Sequence, residues 1–251
     1  MSPIFNRSRP REPSRAAVAD GERIYAIGDI HGRIDLLDRL LEIILKDESS
    51  KEDGRVPRII GLGDYIDRGD NSLAVLNRIR ELDAHFTRAE FLMGNHEDAM
   101  LGFLDDPIAW KSWIEMGGLQ TLASLGVPLP NSRPEERDLL VLCGELLEAV
   151  RPFLSFLRDM PMIGESGSLI LTHAGVDPAR PLQRQDKRAL LWGHCDGMVD
   201  EPVRGRCVIH GHYDSPDIVN RPGRICIDTG AYYSGVLTSA RIDTEVTFLQ
   251  T

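Results

Sequence analysis

Cysteine is scarce and unpaired in pattern: Cys143, Cys195, Cys207 and Cys226 stand far apart without a C-x-x-C unit. That spacing excludes a disulfide-stapled miniature fold and the usual thiolate zinc motifs. No stretch approaches the roughly 20 apolar residues that a membrane span requires. Positive charge is also short, with 29 Lys and Arg against 39 Asp and Glu, a net charge of -10. Such a surface repels a phosphate backbone at long range, so broad nucleic-acid binding is not expected and phosphate must be met by local positive groups. Without an apolar leader before the first strand, a reducing cytoplasm is the expected location.

What is present reads as one α/β domain. The 251 residues are 42% hydrophobic and 27% charged, enough to bury a sizeable core. Residues 1–20 carry Arg7, Arg9, Arg11 and Arg15 among Pro and Ser and are expected to be disordered, leaving 21–251 as the domain. Strand patterns at Arg23–Ile27, Arg58–Leu62 and Ala89–Met93 alternate with helices at about Ile34–Lys46 and Ser72–Leu82. The roughly thirty-residue interval suits parallel β-α-β crossovers. From about 98 to 160 the strands give way to a helical insertion around Trp110, Trp113, Leu139–Val150 and Phe153–Leu157. Strands return at Ser168–Thr172, Cys207–Ile209, Arg224–Ile227, Gly235–Arg241 and Glu245–Leu249, and the close spacing of the last three predicts antiparallel pairing among them. The expected architecture is a mixed β-sandwich with helices on its outer faces.

Six apolar strands end in a restricted set of polar residues: YAIGDIHG, IIGLGDYIDRG, EFLMGNHE, LILTHAG, CVIHGHY and ICIDTG. Ligands of α/β sheets bind beyond the carboxyl ends of strands, so these residues should meet on one rim. Asp29 and His31 can turn toward one ion, Asp64 can bridge two through its two oxygens, and Asn95, His173 and His212 supply further oxygen and nitrogen donors. A lone Asp or Asn at such a place is usually a turn former or cap, and a lone His a surface or satisfied core group. Five of the seven histidines (His31, His96, His173, His210 and His212) nevertheless stand at strand ends beside glycine, which scattered structural use does not produce. A donor set of carboxylate, imidazole and amide without thiolate favours two ions of manganese, iron or zinc, with manganese first, over calcium or magnesium. Other motifs fail: Ile66 stands where a dinucleotide loop beginning at Gly61 needs its third glycine, and neither H-E-x-x-H nor G-x-S-x-G occurs.

The blocks Gly28–Gly32, Gly63–Gly69 and Gly94–Glu97, reading GD-x-HG, GD-x-x-DRG and GNHE, resemble the calcineurin-like metallophosphoesterases, in particular their phosphoprotein phosphatase branch. The resemblance extends over about residues 23–241. It implies that Asp29, His31 and Asp64 hold one metal and that Asp64, Asn95, His173 and His212 hold the second. It further implies His96 as the general acid, Asp67 as its orienting partner and Arg68 as a phosphate clamp, with a metal-bridging hydroxide attacking phosphorus. One departure stands out. Where this branch commonly has a second phosphate-binding arginine after Leu-Leu-Trp, this chain has Gly193-His194-Cys195-Asp196, so His194, Arg188 or Arg206 is the expected substitute. The leading expectation is a serine/threonine protein phosphatase acting on phosphoproteins. The alternative is symmetrical hydrolysis of dinucleoside polyphosphates such as diadenosine tetraphosphate, and a non-catalytic phosphate-binding module is the rival from another class.

Overall fold

The computed structural model describes residues 16–85, 88–194, 200 and 202–251. Strand β1 (Glu22–Ile27) is apolar and buried from Ile24 onward because it is covered on both faces. Ile24 and Ala26 face a core between two sheets, and Tyr25 and Ile27 face the helices. This is the two-residue alternation of a strand buried on both sides. Helix α1 (Ile34–Ser49) answers it with Leu36, Leu37, Leu40 and Ile44 on one buried stripe.

Strands β2 (Val56–Gly61) and β3 (Ala89–Phe91), joined by α2 (Ser72–His85), continue parallel to β1, as the thirty-residue spacing predicts. The second sheet is built from β4 (Ile163–Ser166), β5 (Leu169–Thr172), β6 (Cys207–His210), β7 (Val219–Arg221) and β8 (Arg224–Cys226). Strands β9 (Thr238–Ile242) and β10 (Val246–Gln250) return to the first. The two five-stranded sheets run β10-β9-β1-β2-β3 and β4-β5-β6-β8-β7. Ile60, Leu62, Leu171, Ile209 and Ile227 fill the space between them.

Three expectations need correction. Of the last three strand segments, only β9 and β10 pair antiparallel with each other; β8 lies in the other sheet, parallel to β6 and antiparallel to β7. Close spacing in sequence failed there because the loop after β8 crosses from one sheet to the other. The helical region begins slightly before residue 98, with α3 (Asn95–Asp105), so the GNHE block opens a helix directly after β3. It continues through α4 (Leu119–Ser124), α5 (Glu136–Val150) and α6 (Leu154–Arg158). At the N-terminus residues 1–15 lie outside the described residues, but Ala17 exchanges backbone and side-chain hydrogen bonds with Ser168, and Ala16 and Val18 pack against the inter-sheet core.

Arg23 is the one charged side chain that β1 buries completely, at 1% exposure. It donates to Asp243 at 3.0 Å, Glu48 at 2.9 Å and Asp53 at 2.6 Å, tying β1 to the end of α1, the loop after it and the β9–β10 turn. Removing one partner of a buried ionic group strands the others. Arg23→Ala should therefore cost about 3 kcal/mol in urea unfolding; a loss below about 1 kcal/mol would mean that the carboxylates find water at no penalty.

Candidate metal centre and active site

Every block singled out in the sequence reaches one rim of the sandwich. Asp29 and His31 follow β1, Asp64 to Arg68 follow β2, Asn95 and His96 open α3, His173 follows β5 and His212 follows β6. The backbone there is contorted: His31, Asp64, Asp67, Arg68 and His212 all have positive φ, between 46° and 70°. Non-glycine residues hold such angles only when their surroundings dictate them, and such strain gathers at functional sites. Two glycines are required by close approach. A Cβ on Gly94 would lie 2.2 Å from Asp64 Oδ1, and one on Gly211 would lie 1.9 Å from Asp29 Oδ1.

Four donor atoms face one point. Asn95 Oδ1 lies 2.8 Å from His173 Nε2 and 2.9 Å from His212 Nδ1; the two ring nitrogens are 3.2 Å apart, and Asp64 Oδ1 is 3.4 Å from His173 Nε2. Ligands at about 2.1 Å from a metal, arranged near right or tetrahedral angles, stand roughly 3.0–3.4 Å from one another, so the set fits an ion. The other oxygen of Asp64 is 3.5 Å from His31 Nε2, and Asp29 accepts the His212 backbone N–H at 3.1 Å. Asp64 thus offers one oxygen to each half of the cluster. Backbone carbonyls fix the tautomers: His31 Nδ1 donates to Ile66 at 2.8 Å and His173 Nδ1 to Leu62 at 2.9 Å, leaving both Nε2 lone pairs inward.

Electrostatics divides the imidazoles by task. Burial depresses His31 to about 3 and His212 to about 4, and it lowers His173 as well, so all three are neutral and able to ligate at neutral pH. Burial works against the charge on His96 too, but Asp64 and the hydrogen-bonded Asp67 outweigh it and raise His96 above its ordinary value. Burial likewise opposes ionisation of Asp64, yet the imidazoles of His173, His96 and His31 hold its carboxyl well below the usual range. His96 Nδ1 is 2.7 Å from Asp67 Oδ2, while His96 Nε2 is buried without a hydrogen-bond partner. A nitrogen left in that state points to a group that arrives with the substrate.

Several supporting residues were not picked out from the sequence. Glu97 accepts backbone N–H bonds from Asp64, Tyr65, Ile66 and Gly94 at 2.9–3.3 Å. Its place three residues after Gly94 is the capping-box spacing, a legible signal. Trp113 Nε1 donates to Asp67 Oδ2 at 2.9 Å and Thr121 Oγ1 to Asp67 Oδ1 at 2.6 Å; both come from the helical region, and nothing in their local sequence announces the contact. Asp228, in the ICIDTG block, is buried and sits against Asp29, whose carboxyl is raised well above its ordinary value by burial and by the charges of Asp228 and Asp64. Tyr232 lies under the Arg68 guanidinium at 4.9 Å and meets the His31 ring edge-on at 5.5 Å.

The expected substitutes for a second arginine part company. Arg206 is bound to Glu165 at 2.6 Å and to the Leu169 carbonyl at 2.7 Å, at the amino ends of the strands and away from the rim. His194 Nε2 is 3.9 Å from Asp177 Oδ2. Arg188 is exposed on α7 (Lys187–Trp192), while Cys195 and Asp196 lie outside the described residues.

Residues 22–237 match the family model for calcineurin-like phosphoesterases. The chain belongs to that family. It is 32% identical over 158 residues to a symmetrical bis(5'-nucleosyl)-tetraphosphatase of Methylococcus capsulatus, an alignment covering 62% of this chain and 44% of that protein. A Legionella pneumophila protein of the same name is 41% identical over 64% of this chain and 47% of its own length, so the chain spans about half the length of these relatives. An asymmetrical bis(5'-nucleosyl)-tetraphosphatase of Bacillus thuringiensis is 27% identical over 86% of this chain and 88% of its own. Among solved structures, a protein serine/threonine phosphatase from Saccharomyces cerevisiae superposes with a TM-score of 0.57 at 15% identity, covering 95% of this chain and 84% of that one. At that identity the likeness is one of fold.

His210, beside the cluster, gives a clean pH test. Its ring is 1% exposed and burial depresses it to about 4 from 6.5. Because the folded value lies below the unfolded one, the stability is present above pH about 6.5 and is lost as pH falls toward 4. The shift corresponds to about 3 kcal/mol. The parent, freed of metal, should lose about that much more stability than His210→Asn between pH 7 and 4; parallel unfolding curves would show that His210 is hydrated when folded.

Proposed function

We propose that the chain is a dinuclear metal-dependent phosphoesterase whose substrates are dinucleoside polyphosphates. Asp29, His31 and Asp64 would hold one ion and Asp64, Asn95, His173 and His212 the other. A donor set of oxygen and imidazole without sulfur suits manganese, iron or zinc. When bound, such ions supply positive charge opposite the phosphoryl oxygens and acidify water. The remaining work falls to the chain. Arg68 presents paired N–H donors that match phosphate oxygens and are steadied over Tyr232. His96 Nε2 holds a proton for the departing oxygen, and Asp67, fixed by Trp113 and Thr121, keeps the His96 ring turned and favours its protonated form.

The observation that carries the substrate class is the run of relatives named tetraphosphatases, including a Dechloromonas aromatica protein, 24% identical, whose alignment covers 89% of this chain and 94% of its own length. The protein phosphatase reading has support from fold alone. A non-catalytic module is disfavoured by the complete donor set and by the partnerless His96 Nε2. Diadenosine tetraphosphate should be cleaved with a higher kcat/KM than a phosphoserine peptide, with manganese present in both assays. Two ADP mark a symmetrical cut and AMP with ATP an asymmetrical one. A preference for the phosphopeptide would reverse the assignment.

The acid role has its own test. His96→Asn should slow alkyl phosphates, whose leaving oxygen needs a proton, about 10²–10⁴-fold, and aryl phosphates much less, with metal content retained. Equal losses on the two ester types would remove His96 from proton transfer.

A further inference from the structure

Next to the metal cluster lies a groove of about 510 Å³ lined by Trp110, Trp192, Asp98, Asp186, Lys187 and Arg188. We propose that it seats the base of a nucleotide substrate, an inference that rests on the dinucleotide reading. Three observations carry it.

The first is position. Asp98 is three residues beyond Asn95 on α3, about 4.5 Å along the helix axis, and Trp192 Nε1 donates to Asp98 Oδ2 at 3.0 Å. After Trp192 the chain passes through Gly193, which packs against the Tyr213 hydroxyl, and the Tyr213 ring lies 4.8 Å from that of His212. Leu190 of the same helix accepts the Ala174 backbone N–H at 2.8 Å, next to His173. One wall of the groove therefore belongs to α3, which carries Asn95, and the other to α7, which packs against the segments that carry His173 and His212.

The second is chemistry. Trp110 and Trp192 stand with ring centroids 6.3 Å apart, both half-buried, whereas Trp113 is buried completely. Trp110 lies flat on Gly102, where a Cβ would come within 2.4 Å of its ring and displace it. Indoles held this way, with flat apolar surface left toward water, suit a planar heteroaromatic ring. The charge in the floor is already balanced, since Asp98 takes bonds from both Trp192 and Lys187, the latter at 2.5 Å.

The third is a cation on the groove. The Arg188 side chain is exposed and has no hydrogen bond or ion pair among the described residues. It lines the groove beside the indoles, where its paired N–H donors can meet the phosphates of a nucleotide whose base is stacked there. It is a positive group four residues before Trp192, in a chain that lacks the second arginine after Leu-Leu-Trp.

The test compares ADP with pyrophosphate, which shares the phosphates but has no base, as inhibitors of aryl phosphate hydrolysis with metal in excess. In the parent ADP should inhibit about tenfold to a hundredfold more tightly than pyrophosphate, the range that base stacking supplies, and in Trp110→Leu that ratio should fall toward one. Fluorescence gives a reading that needs no variant. ADP should quench tryptophan emission saturably and pyrophosphate should not, because Trp110 and Trp192 are the two indoles a ligand can reach. Equal inhibition by the two compounds in the parent, or a ratio untouched in a folded Trp110→Leu, would overturn the groove assignment even if diadenosine tetraphosphate is cleaved. An ADP preference that disappears in Trp110→Leu, in a parent that leaves diadenosine tetraphosphate intact, would instead sink the dinucleotide reading and leave a mononucleotide site.

Discussion

The site depends on one buried carboxylate that does no chemistry. Glu97 accepts four backbone N–H groups, three from the loop after β2 and one from the residue before α3. Those amides have no strand partner at that point, and leaving them dry would cost about 1–3 kcal/mol each. By gathering them, Glu97 holds the loop in the left-handed turn at Asp64 and presses it against Gly94. Asp64 then accepts the His96 backbone N–H at 3.0 Å through Oδ1, with Oδ2 facing His31. The bridging geometry of the proposed metal ligand is thus set by hydrogen bonds one layer farther in.

Around that frame, depth in the protein sorts otherwise identical side chains. His31, His173 and His212 meet low dielectric with too little compensating charge and stay neutral. His96, whose ring meets that of His31 at 4.7 Å, faces the charge of Asp64 and has Asp67 against its Nδ1, and it keeps its proton more firmly. One residue type thereby stands in two protonation regimes, as the proposed ligands and the proposed acid require, separated by the carboxylates of Asp64 and Asp67.

The helical region that lies between β3 and β4 in the chain supports the candidate site. Trp113 and Thr121 fix both oxygens of Asp67, and Trp110 from the same region forms a wall of the groove beside the cluster. A region that looks like an interruption of the strand pattern fixes the carboxylate that turns the His96 ring and forms part of the groove wall.

The sequence by itself determined the alternation of strands and helices, the two-residue and helical stripes that bury them, and the set of residues proposed as donors. Those features are local: Gly28–Gly32, Gly63–Gly69 and Gly94–Glu97 carry their chemistry within a few residues, and the position of each at a strand end is enough to bring them to one rim. The tertiary structure decided what depends on distance through space. It put β8 in the second sheet despite its closeness in sequence to β9, and it began α3 within GNHE. It bound Arg206 to Glu165 at the amino ends of the strands and left the Arg188 side chain without a partner among the described residues, on the wall of the groove. It also brought Trp113 and Thr121 to Asp67 across more than forty residues of chain. No local pattern encodes such contacts, because a hydrogen bond between distant segments is fixed by how whole elements pack and not by the residues on either side of it.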